Sequence, residues 1–288
     1  GQDAIGSITL STAGNATGLQ TLAGQDVVTT FSNGTLIGYI SGTNSSEATN
    51  QVFAITLGTL GASATGYTMT LFQPVKHASA GTEDNTTPFT VNVVVADVDG
   101  STANTSFTVS IDDDMPITTN DGLLATLSEN SSGVTIGTTA TLLGDDNYGA
   151  DGAATTGSLV IGTGDKGGTV TIDVNGNLVY TNTSQNVVQG ETVTETFTYT
   201  IKDADGDTAE ATFTVNLTDT GVTIGAAPVN LLADEDNLAA GVGNTTSPGD
   251  DAQVLSGTIS YTLGQDAIGS ITLSTAGNAT GLQTLAGQ

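Results

Sequence analysis

Along two stretches of the chain apolar and polar residues alternate with a period of two, and in each a short acidic turn interrupts the alternation. In the second, Thr196 to Asp219 (TFTYTIKDADGDTAEATFTVNLTD), Phe197, Tyr199 and Ile201 share one face of the first arm; Ala211, Phe213, Val215 and Leu217 share one face of the second. Successive strand side chains point to opposite faces, so the pattern predicts a half-buried hairpin with carboxylates at its tip. The earlier stretch, TPFTVNVVVADVDGSTANTSFTVSIDDD, repeats the pattern with Asp97 and Asp99 in the turn, and Asp203 follows Asp97 by 203 − 97 = 106 positions. The same offset relates Ser128-Glu129-Asn130 to Asp234-Glu235-Asp236, which implies successive copies of one kind of unit.

The remaining apolar positions fall into short runs. Ser7 to Leu10, Val27 to Phe31, Thr35 to Ile40, Gln51 to Leu57 and Tyr67 to Phe72 read as strands, with Asn33-Gly34 as a hairpin turn. Further on, Thr126 to Leu127, Val134 to Ile136, Ser158 to Ile161, Thr169 to Val174 and Leu178 to Thr181 do the same, and no apolar stripe of helical period persists for three turns. Short strands between Gly-, Asn- and Asp-rich turns predict an all-β chain of tandem antiparallel β-sandwich domains, Ig-like or cadherin-like, in a linear array. Residues 1–114 form one sandwich, 115–220 a second, more compact one, and 221–288 the first part of a third. Residues 264–288 repeat residues 1–25 letter for letter, an offset of 264 − 1 = 263, so the pair of units is itself expected to recur. On that period the first sandwich is expected to lack its opening strands, the equivalents of Asp234 to Leu263.

Composition narrows the chemistry. There are 30 acidic residues against three Lys+Arg, for a formal net charge of −27, which excludes nucleic acid and anionic membrane as partners. Charged residues are nonetheless only 11% and apolar ones 37%, so a packed core is available where acidity alone would suggest disorder. Twenty-three of the acids are Asp and seven Glu, and short Asp side chains suit both turns and hard-cation sites. Without cysteine there are no disulfides or thiolate sites. No apolar run approaches the roughly 18 residues of a membrane span, and no signal-peptide pattern opens the sequence.

In a sandwich of this type the turn between the last two strands lies at the same end as the start of the first. The junction of the first two units is therefore expected to gather Asp112, Asp113 and Asp114 from the exit of one, Asp121 from the linker, Glu129 from the first strand, and Asp203, Asp205 and Asp207 from the turn. So many carboxylates repel one another unless a divalent cation neutralises them, and Ca2+, which takes six to eight oxygens in flexible geometry, fits. The turn at Asp97 and Asp99 is a further candidate, for which Asp219 and Glu235 would supply partners. The loop from Gly144 to Gly152, with Asp145, Asp146 and Asp151, is a second candidate cation site. An EF-hand is excluded, because the glycine and glutamate it needs are Thr208 and Thr214 when counted from Asp203. Gly162 to Gly167 satisfies G-x-G-x-x-G, but a strand follows where a dinucleotide fold needs a helix, so it reads as a loop between strands. His77, the one histidine, has no nucleophile or metal partner near it in sequence and reads as a surface or strand-end residue.

The hairpins DVDGSTANTSFTVSIDDD and DADGDTAEATFTVNLTD, the pair GTVTIDVNGNLVYT, the loop LLGDDNYGADGA and the start ADEDNLAAG resemble the tandem Ig-like and cadherin-like repeats, VCBS-type and long type I secretion repeats, of giant bacterial RTX-type adhesins. That resemblance implies non-enzymatic extender repeats at the bacterial cell surface, stiffened by Ca2+ between neighbouring repeats of the same chain. A carbohydrate-binding or cell-cell adhesive module is the alternative; it needs an exposed aromatic platform, whereas Trp is absent and most aromatics fall at core-facing positions. A secreted hydrolase lacks a nucleophile constellation.

An unfinished sandwich exposes a strand edge whose natural occupant is the missing sequence, carried near the other end of a second molecule. Head-to-tail self-association, a heterologous contact that does not close, is therefore one expectation; the alternative is an arbitrary boundary with frayed ends. By sedimentation velocity, a chain lacking residues 221–288 should self-associate less than the full chain. Equal association would contradict head-to-tail completion.

Overall fold

The computed structural model describes residues 4–61, 64–78, 86–183, 186–226, 228, 231 and 256–274. In the first unit β1 (Ile5–Ser11), β7 (Phe89–Asp97) and β8 (Thr102–Val109) form one sheet in the order β1-β7-β8. Facing it are β2 (Ala16–Gln20), β3 (Asp26–Ser32), β4 (Thr35–Ile40), β5 (Gln51–Leu57) and β6 (Tyr67–Leu71), in the order β2-β3-β4-β5-β6. Leu10, Val27, Leu36, Phe53, Ile55, Phe89 and Val91 fill the space between them. At the β3–β4 turn both Asn33 (φ 51) and Gly34 (φ 77) adopt left-handed backbone, which an Asn-Gly hairpin turn requires. β2 has no counterpart among the expected strands, since its sequence ATGLQ carries a glycine and no β-branched apolar residue.

In the second unit β9 (Leu123–Ser128) leads through Asn130, also left-handed at φ 54, into β10 (Ser132–Thr138) and a single helical turn, α1 (Thr139–Leu142). β11 (Leu159–Ile161), β12 (Thr169–Ile172), β13 (Asn177–Thr181), β14 (Thr192–Lys202) and β15 (Thr208–Thr218) follow. The sheets are β11-β14-β15-β9 and β10-β13-β12, packed over a core of their own. The hairpin has the register its alternation demands, with Phe197 opposite Phe213 and Tyr199 opposite Ala211. Phe197 and Phe213 stack with centroids 5.0 Å apart, and Tyr180 meets Phe197 edge-on at 6.0 Å. Both sandwiches are antiparallel except at one place: the first strand, β9, runs parallel to the last, β15. A third short pair, β16 (Thr223–Ile224) with β17 (Tyr261–Thr262), follows the second unit.

The two hairpins differ at their outer edge. β15 is covered by β9, whereas β8 has no outer partner among the described residues and most of its side chains are exposed. The equivalent of β9 at the 106-residue offset, residues 229–234, lies almost wholly outside the described residues, as does most of the segment 219–263 expected to complete the first unit. The aromatic residues also depart from expectation. Tyr67 and Phe72 are half exposed, with Tyr67 stacked on Phe107 at 4.4 Å, because β6 and β8 lie at the open side of the first sandwich.

One inward-facing position of β14 carries a carboxylate. Glu195, two residues before Phe197, is fully buried; it accepts hydrogen bonds from the Gly168 amide (2.5 Å) and the Tyr180 hydroxyl (2.6 Å). The glycine-rich loop at 162–168 wraps this group, and a Cβ at Gly164 or Gly168 would run into the Glu195 carboxylate. Its glycines therefore serve close packing rather than a phosphate. Burial, followed by Glu195, holds the Tyr180 phenol well above its ordinary pKa, so it stays a donor. Tyr180→Phe, which leaves a buried charge short of a donor, should lower unfolding free energy by about 2 kcal/mol in urea titration. A change within about 0.5 kcal/mol, the range of ordinary surface substitutions, would contradict this role.

Candidate metal centre

Three segments converge where the two sandwiches meet. The β14–β15 turn presents Asp203, Asp205 and Asp207, the segment leaving the first unit presents Asp113, and the 144–152 loop presents Asp151. The turn is closed from within: the Asp203 amide donates to the Asp207 carbonyl, and Asp203 Oδ1 accepts from the amides of Gly206 (3.0 Å) and Asp207 (2.7 Å). The loop is pinned at both ends, by a bridge between Ile117 and Asn147 and another between Ala153 and Asp203. Between them Asp114 Oδ2 accepts from the Ala150 amide at 2.7 Å. From the first unit His77 enters, with Nδ1 3.0 Å from Asp113 Oδ1 and 3.6 Å from Asp205 Oδ2.

Asp113, Asp203 and Asp207 are buried, and Asp205 is shielded by its neighbours. Asp113 Oδ2, Asp151 Oδ2, Asp203 Oδ2 and Asp205 Oδ1 are all buried with no hydrogen-bond partner. Burial, before any other cause, pushes the Asp113 and Asp203 carboxyls up to about 6 and that of Asp151 up to about 7; the neighbouring aspartates push the same way. The only other ion pair among the described residues, Lys166 with Asp165, lies elsewhere. The arrangement is an oxygen-rich, electron-rich cage short of positive charge.

The structure distributes the expected residues differently from the sequence argument. Glu129 does not join this junction. It follows β9 rather than opening it, and a strand parallel to β15 ends at the far end of the sandwich. There Glu129 is fully buried, accepting from the amides of Val187 and Thr220, and groups with Asp219 and the exposed Asp266. Asp121 also lies apart: its Oδ2 is 3.0 Å from the Tyr199 hydroxyl, which is equally 3.0 Å from Asp146 Oδ2. Burial raises the Asp121 carboxyl above its ordinary value, with Asp145 and Asp146 adding to the rise. The 144–152 loop is thus not one site, since Asp146 faces Tyr199 while Asp151 reaches the junction. Asp112 is exposed and Asp114 fastens the loop. Asp97 and Asp99 close their own turn on the Ser101 amide, and among the described residues no third acidic or histidine side chain gathers with them. Glu235 lies outside the described residues. His77 is neither a surface nor an isolated residue, because the fold buries it against Asp113 and Asp205.

Residues 113–216 match the family described as bacterial Ig domain, less than half of the chain. No curated protein matches. Among solved structures, the protocadherin gammaB7 EC3-6 cis-dimer aligns at 11% identity and TM-score 0.31, over 82% of this chain and 54% of that one. The protocadherin gammaB4 extracellular domain aligns at 11% and 0.28, over 82% and 37%. The human desmocollin-1 ectodomain aligns at 16% and 0.27, over 48% and 28%. The chain thus spans about a quarter to a half of the length of these structures.

The raised carboxyls have a consequence for stability. Their folded pKa values, about 6 to about 7, exceed the ordinary 3.8, so between those limits the folded chain binds more protons than the unfolded one. Stability in chelator should therefore fall as pH rises from about 4 to about 7 and level off above. Asp165 and Asp173, whose carboxyls lie below the ordinary value, act oppositely but only below pH 3.8. Thermal melts in chelator from pH 5 to 7.5 check this; a melting temperature that climbs with pH would contradict it.

Proposed function

We propose that this chain is a non-enzymatic extender of a large bacterial surface adhesin or filament, working by length and rigidity, with Ca2+ held between the first and second sandwiches. The observation that carries this reading is the set of four buried, unpartnered carboxylate oxygens from Asp113, Asp151, Asp203 and Asp205. They come from three separate segments on both sides of the junction, so cations held among them would tie the end of one sandwich to the turn of the next. An all-oxygen donor set of this charge suits a hard cation.

Because the ion would bind the aligned folded form and not the unfolded chain, its binding free energy would add to folding. The resemblance of the repeats to those of adhesins exported by type I secretion supports the same place of action: a chain loose where calcium is scarce and stiff outside the cell. The match to a bacterial Ig domain is consistent with a surface role. For the end of the second sandwich, Glu129, Asp219 and Asp266 would be the corresponding acidic group.

With calcium, small-angle scattering of the full chain should fit one extended shape; with chelator the particle should become more flexible and melt at lower temperature. Superimposable scattering profiles in the two conditions would contradict the extender reading.

A further inference from the structure

His77 belongs to a donor set unlike the oxygen-only turn beside it. Its Nε2 lies 3.3 Å from the Ile111 carbonyl, which can only accept, so Nε2 carries the hydrogen. In the neutral ring Nδ1 then presents a lone pair, and it faces Asp113 Oδ1 at 3.0 Å and Asp205 Oδ2 at 3.6 Å. A lone pair aimed at carboxylates is repulsive unless a cation or a second ring proton lies between. His77 Nδ1 and one carboxylate oxygen each from Asp113, Asp151 and Asp205 all lie within 4.8 Å of one another. Asp113, 6% exposed, and Asp151 each contribute a buried oxygen with no hydrogen-bond partner. A histidine ring held by its other nitrogen on a backbone carbonyl is the arrangement that orients metal-ligating imidazoles.

We propose that the junction holds two cation positions of different chemistry that share Asp205. Asp203, Asp205 and Asp207 form the oxygen-only position, which suits a hard ion. His77, Asp113, Asp151 and Asp205 form the other, which takes a first-row divalent transition ion, because imidazole nitrogen with carboxylates suits such ions and Ca2+ prefers oxygen alone. The oxygen-only position rests on the calcium reading above; the histidine position stands on its own donor set. Binding there would fasten the segment after β6, in the first sandwich, to the hairpin turn of the second.

The chain's single histidine makes the test direct. In the 15N-labelled full chain at pH 7.5, saturated with Ca2+, one equivalent of Zn2+ should shift His77 Nδ1 as a metal ligand while Nε2 keeps its proton. Co2+ in place of Zn2+ should give visible d–d absorption, and His77→Gln should weaken Co2+ binding by about tenfold or more. An Nδ1 that stays protonated and unshifted, with His77 serving as a cationic partner of Asp113, would overturn the histidine position and leave the calcium reading standing. Zn2+ bound at Nδ1 with no Ca2+ uptake in a parallel titration would instead remove the calcium reading and the oxygen-only position with it, overturning the two-position arrangement while the histidine position stands. One-for-one displacement of Ca2+ by Zn2+ would overturn the two-position arrangement.

Discussion

Like charge buried between two sandwiches is the constraint on which the rest of this structure depends. Two unit charges about 4 Å apart repel by about 4 kcal/mol at an effective dielectric near 20, and the junction holds Asp113, Asp151, Asp203, Asp205 and Asp207 against one histidine. Three lysines and no arginine in the whole chain leave little positive side-chain charge to offset them. Only Asp113 and His77 come from the first unit, so their part of the interaction bears on the arrangement of the units, whereas repulsion among Asp151, Asp203, Asp205 and Asp207 falls on the loop and turn of the second sandwich, which its own core holds in place. A bound cation would reverse the sign of that interaction.

The scaffold behind the cluster is stiff. The β14–β15 hairpin pairs from Thr192 with Thr218 to Lys202 with Thr208, and its inward face is locked by Phe197, Tyr199, Phe213 and Leu217, all fully buried. Its turn is fixed by backbone donors to Asp203 Oδ1, which leaves Oδ2 free of partners. Glu195 shows the contrasting treatment of a buried carboxylate in the same strand. Where donors reach both oxygens the acid is structural; where one oxygen is left without a donor, as at Asp113 Oδ2 and Asp203 Oδ2, that oxygen is available to something else.

Period-two alternation made the hairpins and their facing pairs legible, and the offset of 106 aligned the turn of β7–β8 with that of β14–β15. Short strands without alternation, such as β2, and the single turn α1 carry no such signal. Within the site, Asp113, Asp203, Asp205 and Asp207 were readable from the topology of a sandwich. Glu129 was misplaced because it follows a full strand, β9, that runs parallel to β15 and carries it to the end away from the turn, whereas the two residues Thr126 and Leu127 read as strand were too short to set it that far off. His77 and Asp151 reach the junction through irregular segments, and no periodicity specifies where such segments travel. Glu195 could have been found: it sits at the inward parity of the strand containing Phe197, as Tyr180 does in its own.

The most direct test is the sign of a single isosteric substitution. Asp203→Asn removes one charge from the cluster while keeping an oxygen that can accept from the Gly206 and Asp207 amides. In chelator it should raise the unfolding midpoint above that of the unsubstituted chain, because repulsion is relieved. In Ca2+ it should lower that midpoint, because a ligand and its charge are lost. A change of the same sign in both conditions would contradict the claim that the junction is a cation site.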